Sequence, residues 1–164
     1  MKRADFLQAF YCMKHMFGWI SLCLAPLASA ATDRVVTRLR LEPDITVVVA
    51  EGDFEPRSIG SFSVRAYRAD SAAVRHGLDT DDYLGGLVCD RDGVVEAVTA
   101  TDVDGDGRAE VVVKIRSAGS GGYLSAVALA VRGRAVEVRA RVENLDATAD
   151  VLKALREVAR GGRS

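Results

Sequence analysis

Alternation with a period of two runs through most of this chain, and it restricts the fold more than any other feature. Ser61-Phe62-Ser63-Val64-Arg65-Ala66-Tyr67 puts Phe62, Val64 and Ala66 on one face and Ser61, Ser63, Arg65 and Tyr67 on the other. That is the spacing of a half-buried strand. Residues 34–41 alternate likewise, and the β-branched run from Thr46 to Ala50 reads as a buried strand. Tyr83 to Cys89 and Val94 to Val103 flank Asp90-Arg91-Asp92-Gly93, which reads as a hairpin turn with glycine where φ turns positive. Glu110 to Arg116 is a valine-rich strand, and Tyr123 to Val131 and Ala135 to Val142 flank a second hairpin at Arg132-Gly133-Arg134. Only from Ala147 to Arg160 does the period change, with Val151, Leu152, Leu155 and Val158 on one helical face and Asp150 or Thr148 as its cap. The pattern predicts an all-β chain, a sandwich or a barrel, and of the two an antiparallel β-sandwich of about seven to eight strands with a short C-terminal helix is the expectation. Strands never alternate with helices, which excludes a parallel α/β sheet. The stretch from Asp70 to Asp82 reads as a polar surface loop, and no internal repeat interrupts the pattern.

The first thirty residues follow different rules. Lys2, Arg3 and Lys14 precede an apolar stretch from Met16 to Leu27, and Ala28-Ser29-Ala30 supplies small residues for a signal peptidase. The run is shorter than a membrane span of about 20 residues. Residues 1–30 are therefore expected to be a signal peptide, and residues 31–164 a single exported sandwich domain with no membrane contact after cleavage. Loss of the leader takes Lys2, Arg3, Lys14 and Asp5 from the 22 basic and 23 acidic residues, leaving 19 and 22 and a net charge of −3. Such a balance gives no basic surface for nucleic acid. Cys12 and Cys23 also leave, so Cys89 stands alone in the apolar run Leu87-Val88-Cys89 and is expected to be buried rather than cross-linked.

Three segments carry more information than the rest. In the first, Asp102, Asp104, Asp106 and Glu110 surround two glycines between strands. Alternating carboxylates can wrap a hard cation such as calcium, but Val113 stands where an EF-hand needs a bidentate glutamate. Asp and Gly are also what tight turns require. These four are weak metal candidates, and the expectation is a turn with no cofactor. In the second, Ser117-Ala118-Gly119-Ser120-Gly121-Gly122-Tyr123 can project a narrow tip with two hydroxyls. No Lys-Ser/Thr follows the glycines as a phosphate loop demands, and the nucleophile-elbow pattern is only half matched. The third, Glu51 to Arg65, is a charged connection running into a well-patterned strand.

The phrases VVVAEGDFEPRSIGSFSVRAY and DVDGDGRAEVVVKIRSAGSGGYLSA, with GLVCDRDGVVEAV between them, resemble the periplasmic inhibitors of invertebrate-type lysozyme. The likeness spans Val47 to Ala126. It implies a periplasmic binding protein, not an enzyme, whose partner is invertebrate-type lysozyme. It also implies that Ser120, Gly121, Gly122 and Tyr123 enter the enzyme's cleft, with Arg116, Arg57 and Ser58 as further contacts. Inhibitors of other lysozyme classes carry Ser-Gly-x-x-Tyr; the loop here is one residue shorter. The alternative reading is a calcium-binding or cell-envelope interaction module built on Asp102 to Glu110. An enzyme would have to rely on His76, a lone loop histidine, or on Asp81-Asp82, which read as solvated charge, and no Cys/His zinc spacing exists. Open sheet edges leave a homodimer as one option.

Overall fold

The computed structural model describes residues 34–42, 44–68 and 82–162. Eight strands and one helix follow in order: β1 Val36–Glu42, β2 Ile45–Glu51, β3 Ile59–Arg68, β4 Tyr83–Asp92, β5 Val94–Thr101, β6 Glu110–Arg116, β7 Leu124–Arg132, β8 Ala135–Leu145 and α1 Val151–Gly161. They form two four-stranded antiparallel sheets, β1-β2-β3-β4 and β5-β6-β7-β8. Each strand pairs with the next along the chain, so both sheets are simple meanders.

The predicted faces hold. Phe62, Val64 and Ala66 are fully buried and meet Val111, Val113 and Leu129 of the other sheet in one core. A second core lies on the outer face of the β5–β8 sheet, where α1 covers Val112, Leu124, Ala128 and Ala140. Val112 can serve that core while Val111 and Val113 serve the first, because neighbouring strand residues point to opposite faces. This is why Val111 to Val113 of β6 and Ala126 to Val131 of β7 read as unbroken apolar runs.

Asp150 caps α1, its carboxylate accepting the Lys153 N–H at 3.0 Å. The buried stripe is Val151, Leu155 and Ala159, whereas Val158 is half exposed. The helix presents an i, i+4, i+8 row to the sheet, and the expected place of Val158 on that row belongs to the smaller Ala159. Cys89 is buried as expected, and burial pushes its thiol up.

One expectation fails in an instructive way. Asp90-Arg91-Asp92-Gly93 is not a hairpin turn. Asp90, Arg91 and Asp92 continue β4, paired with Ser61, Gly60 and Ile59, and the chain then crosses to the other sheet at Gly93. Gly93 has φ +118°, and a side chain on it would collide with the Arg116 carbonyl and the Ser117 Cα. Local turn signals look alike for a hairpin and for a sheet-to-sheet crossing; only the long-range partners distinguish them. The hairpin at Gly133-Arg134 is present, with Arg132 paired to Ala135. His76 and most of the Asp70–Asp82 loop, like the leader, lie outside the described residues.

Candidate functional site

The crossing at Gly93 brings two loops together. Its N–H donates to the Ser58 carbonyl of the β2–β3 connection at 2.9 Å. Its Cα lies against Arg116 and Ser117, where the β6–β7 connection begins. Ser58 and Arg57 therefore share one end of the sandwich with residues 117–123, although about sixty residues separate them in sequence.

The β6–β7 loop is braced from within. Its stem closes through the Ser117 N–H on the Tyr123 carbonyl at 2.9 Å, and its tip through the Gly122 N–H on Gly119 at 3.1 Å. Arg116 donates from Nη1 to the Gly122 carbonyl at 3.0 Å, and from Nε and Nη2 to Glu96 at 2.9 and 3.1 Å. The fork is engaged inside the protein, so Arg116 acts first as a strut for the loop. Its hydrogen bonds hold the Glu96 carboxyl below the ordinary value, and the charge of Lys114 adds to the effect. Ser120 is exposed at the tip, and Tyr123 is half exposed. The Tyr123 ring folds over Gly121, where an added Cβ would overlap it. Gly122, at φ +55°, supplies the left-handed turn. The obstacle to a side chain at 121 is thus the ring itself. Gly121→Val is expected to swing Tyr123 away and weaken inhibition at least tenfold, with the melting temperature nearly unchanged; inhibition titrations beside melting curves check this.

The β2–β3 connection is held by an arginine that sequence reading treated as a turn residue. Arg91 is 4% exposed. It donates to the carbonyls of Ser61 at 3.1 Å, Arg57 at 3.0 Å and Pro56 at 3.2 Å, and to that of Gly93. Buried Glu51 lies 3.7 Å from its Nε and accepts the Val35 and Val95 N–H groups at 3.0 and 2.9 Å. Glu55, nested against Gly52 and Gly60, accepts the Ser61 N–H at 2.5 Å and its hydroxyl at 2.7 Å.

This frame holds Phe54 in the left-handed region, at φ +60°, with its side chain 100% exposed. A phenylalanine so placed is both strained and unburied, costs of order 1–3 kcal/mol in backbone strain, and persists only because its surroundings enforce it. Phe54 was missed from the sequence; the signal was a lone aromatic in the acidic, Gly- and Pro-containing stretch 51–60.

The Ser61 hydrogen bonds hold the Glu55 carboxyl below its ordinary value of 4.5, with Arg91 assisting. Ionised Glu55 therefore supports the loop fully above that ordinary value, and the support is lost as pH falls through the lower folded value. Urea unfolding between pH 7 and 3 should show the parent losing stability below pH 4.5 that Glu55→Gln does not lose.

The β2–β3 loop, the Gly93 crossing and the β6–β7 loop thus lie side by side at one end of the sandwich, a ridge that presents two aromatic rings, Phe54 and Tyr123. Arg91, Arg116, Glu51 and Glu55 serve the frame. Exposed rings on braced loops suit entry into another protein's groove.

Against known proteins, the profile of the family described as periplasmic lysozyme inhibitor of I-type lysozyme, PliI, matches residues 33–159. The chain belongs to this family. It is a lysozyme inhibitor, not an enzyme, and its family is periplasmic. The crystal structure of the Aeromonas hydrophila member is 36% identical, with TM-score 0.65, covering 74% of this chain and 98% of that one. The same relative in complex with Meretrix lusoria lysozyme gives 36% identity and TM-score 0.64 over 74% and 95%. No curated protein matches the chain.

Proposed function

We propose that this PliI-family member inhibits I-type lysozyme in the periplasm by inserting its ridge into the substrate cleft and so protects peptidoglycan. The observation that carries the reading is the pairing of two exposed aromatic side chains, Phe54 and Tyr123, on separately braced loops that meet at Gly93. The solved complex of the Aeromonas hydrophila relative with a lysozyme supports the choice of partner.

A glycosidase cleft carries two carboxylates around the scissile bond. Ser120 donates a hydrogen bond to one of them, and Tyr123 covers apolar cleft wall with its hydroxyl directed outward. Phe54 fills a second position along the groove, flanked by Arg57 and Ser58. Because both loops are already held, little conformational entropy is lost on binding. Turbidity assays of peptidoglycan lysis by invertebrate-, chicken- and goose-type lysozymes, with and without the protein, test the function. Competitive inhibition of the invertebrate-type enzyme is expected; lysis of all three at the uninhibited rate would refute it.

Residues 1–30 direct export and are removed after Ala30. Mass spectrometry of periplasmic protein should find an N-terminus at Ala31; an intact leader on the mature protein would contradict this.

A further inference from the structure

The β5–β6 connection lies at the end of the sandwich opposite the ridge, since β6 starts beside it at Glu110 and ends beside the ridge at Arg116. Asp102, Asp104 and Asp106 each offer a carboxylate oxygen there, all within 4.8 Å of one another. Acidic turns often look like this without holding any ligand. The cluster by itself decides nothing.

Glu110 adds an independent observation. It is fully buried, its Oε2 accepts the Val103 N–H at 2.8 Å, and its Oε1 has no hydrogen-bond partner. Arg132 Nη2 stands 3.7 Å from Oε1, beyond hydrogen-bond reach, and donates instead to Asp106 Oδ2 at 2.6 Å. The orphan oxygen and Asp106 thus share one guanidinium, that of Arg132. Burial raises the Glu110 carboxyl, and the charges of Asp104 and Asp106 raise it further. A buried carboxylate oxygen without a donor is costly unless positive charge is supplied.

We propose that Asp102, Asp104, Asp106 and the buried Glu110 bind one calcium ion. The donors are hard oxygens at positions one, three, five and nine of the loop, and the spread of the three aspartate oxygens, within 4.8 Å of one another, suits Ca–O distances of about 2.3–2.6 Å better than the tighter octahedron of magnesium. The loop is shaped before an ion arrives. Asp102 accepts the Gly105 and Gly107 N–H groups at 2.6 and 3.0 Å, Asp104 that of Asp106 at 3.0 Å, and Asp106 that of Arg108 at 2.8 Å. Arg139, at 2.8 Å from Asp104 Oδ2, and Arg132 compete with the ion for the same oxygens. That competition places the affinity in the weak range of exported modules, about 10⁻⁴–10⁻³ M.

Melting curves of chelator-stripped protein in 0–10 mM calcium chloride, against sodium chloride of equal ionic strength, test the site. A calcium-specific rise of roughly 3–8 °C is expected, reversed by chelator and smaller with magnesium. Asp102→Asn keeps an oxygen for the turn at a partly exposed position, so it should fold and lose the shift. Glu110→Gln should lose the shift as well, while melting no lower than the parent without calcium. Absence of a calcium-specific rise in the parent, or its survival in Asp102→Asn, would overturn the proposal.

Discussion

Replacing Arg91 by alanine is expected to destabilise the fold by about 3–5 kcal/mol, the cost of leaving a buried charge without its partner. The charge left behind is Glu51, 4% exposed and held between the Val35 and Val95 amides. Those amides keep it anchored, so it cannot turn out to water. The carbonyls of Pro56, Arg57, Ser61 and Gly93 lose their donor in the same step. For a domain of this size the shift in melting temperature is roughly 10–20 °C. Arg91→Lys separates the two contributions. An ammonium group retains a charge for Glu51 but lacks the planar fork that reaches several carbonyls at once. It should recover part of the stability while leaving the Phe54 loop loose, and so inhibit poorly. Thermal and urea unfolding of both variants checks this; a shift below about 3 °C for Arg91→Ala would mean that the frame does not depend on the arginine.

The second large effect concerns the aromatic pair. Tyr123→Ala should weaken inhibition by about 2 kcal/mol or more, and Phe54→Ala by a similar amount, as expected for ring anchors at the middle of an interface. Each loss corresponds to roughly thirtyfold in the inhibition constant. Ser120→Ala should cost about 1.5–3 kcal/mol, the worth of a hydrogen bond to a charged acceptor. None of the three should disturb folding. Phe54 is completely exposed, Ser120 sits at a loop tip, and Tyr123 lies over Gly121 rather than in either core. Alanine at φ +60° is no better placed than phenylalanine, so the stability of Phe54→Ala should match the parent while the hydrophobic surface is gone.

The strands and their inner faces were legible because a sheet buried on one face imposes a period of two, which no helix shares. Phe62, Val64 and Ala66 announce their face within seven residues. The helix was legible too, although amphipathic spacing alone put Val158 where Ala159 packs. What the sequence could not show depended on contacts distant along the chain. Asp90 to Gly93 has turn composition whether it closes a hairpin or crosses between sheets, and the difference lies in Ser61, Ser58 and Arg116. Arg91 reads as a solvated charge until Glu51 and four carbonyls surround it. Phe54 lies in a stretch whose acidic and proline residues mask it, and its exposure becomes visible only once the loop's frame is known. The Ser120-to-Tyr123 loop was found through family likeness, because Gly and Ser in a connection are otherwise unremarkable. Glu110 looked like one more acid of a turn until the fold buried it.

The measurement that bears most directly on the account is the inhibition constant of the Phe54→Ala/Tyr123→Ala double variant against invertebrate-type lysozyme, with its melting temperature determined alongside. If the ridge enters the cleft, the variant should fold like the parent and inhibit at least about a hundredfold less well, with the parent's inhibition competitive toward peptidoglycan. A folded double variant that inhibits as strongly as the parent would contradict the claim and move the inhibitory surface to another face of the sandwich.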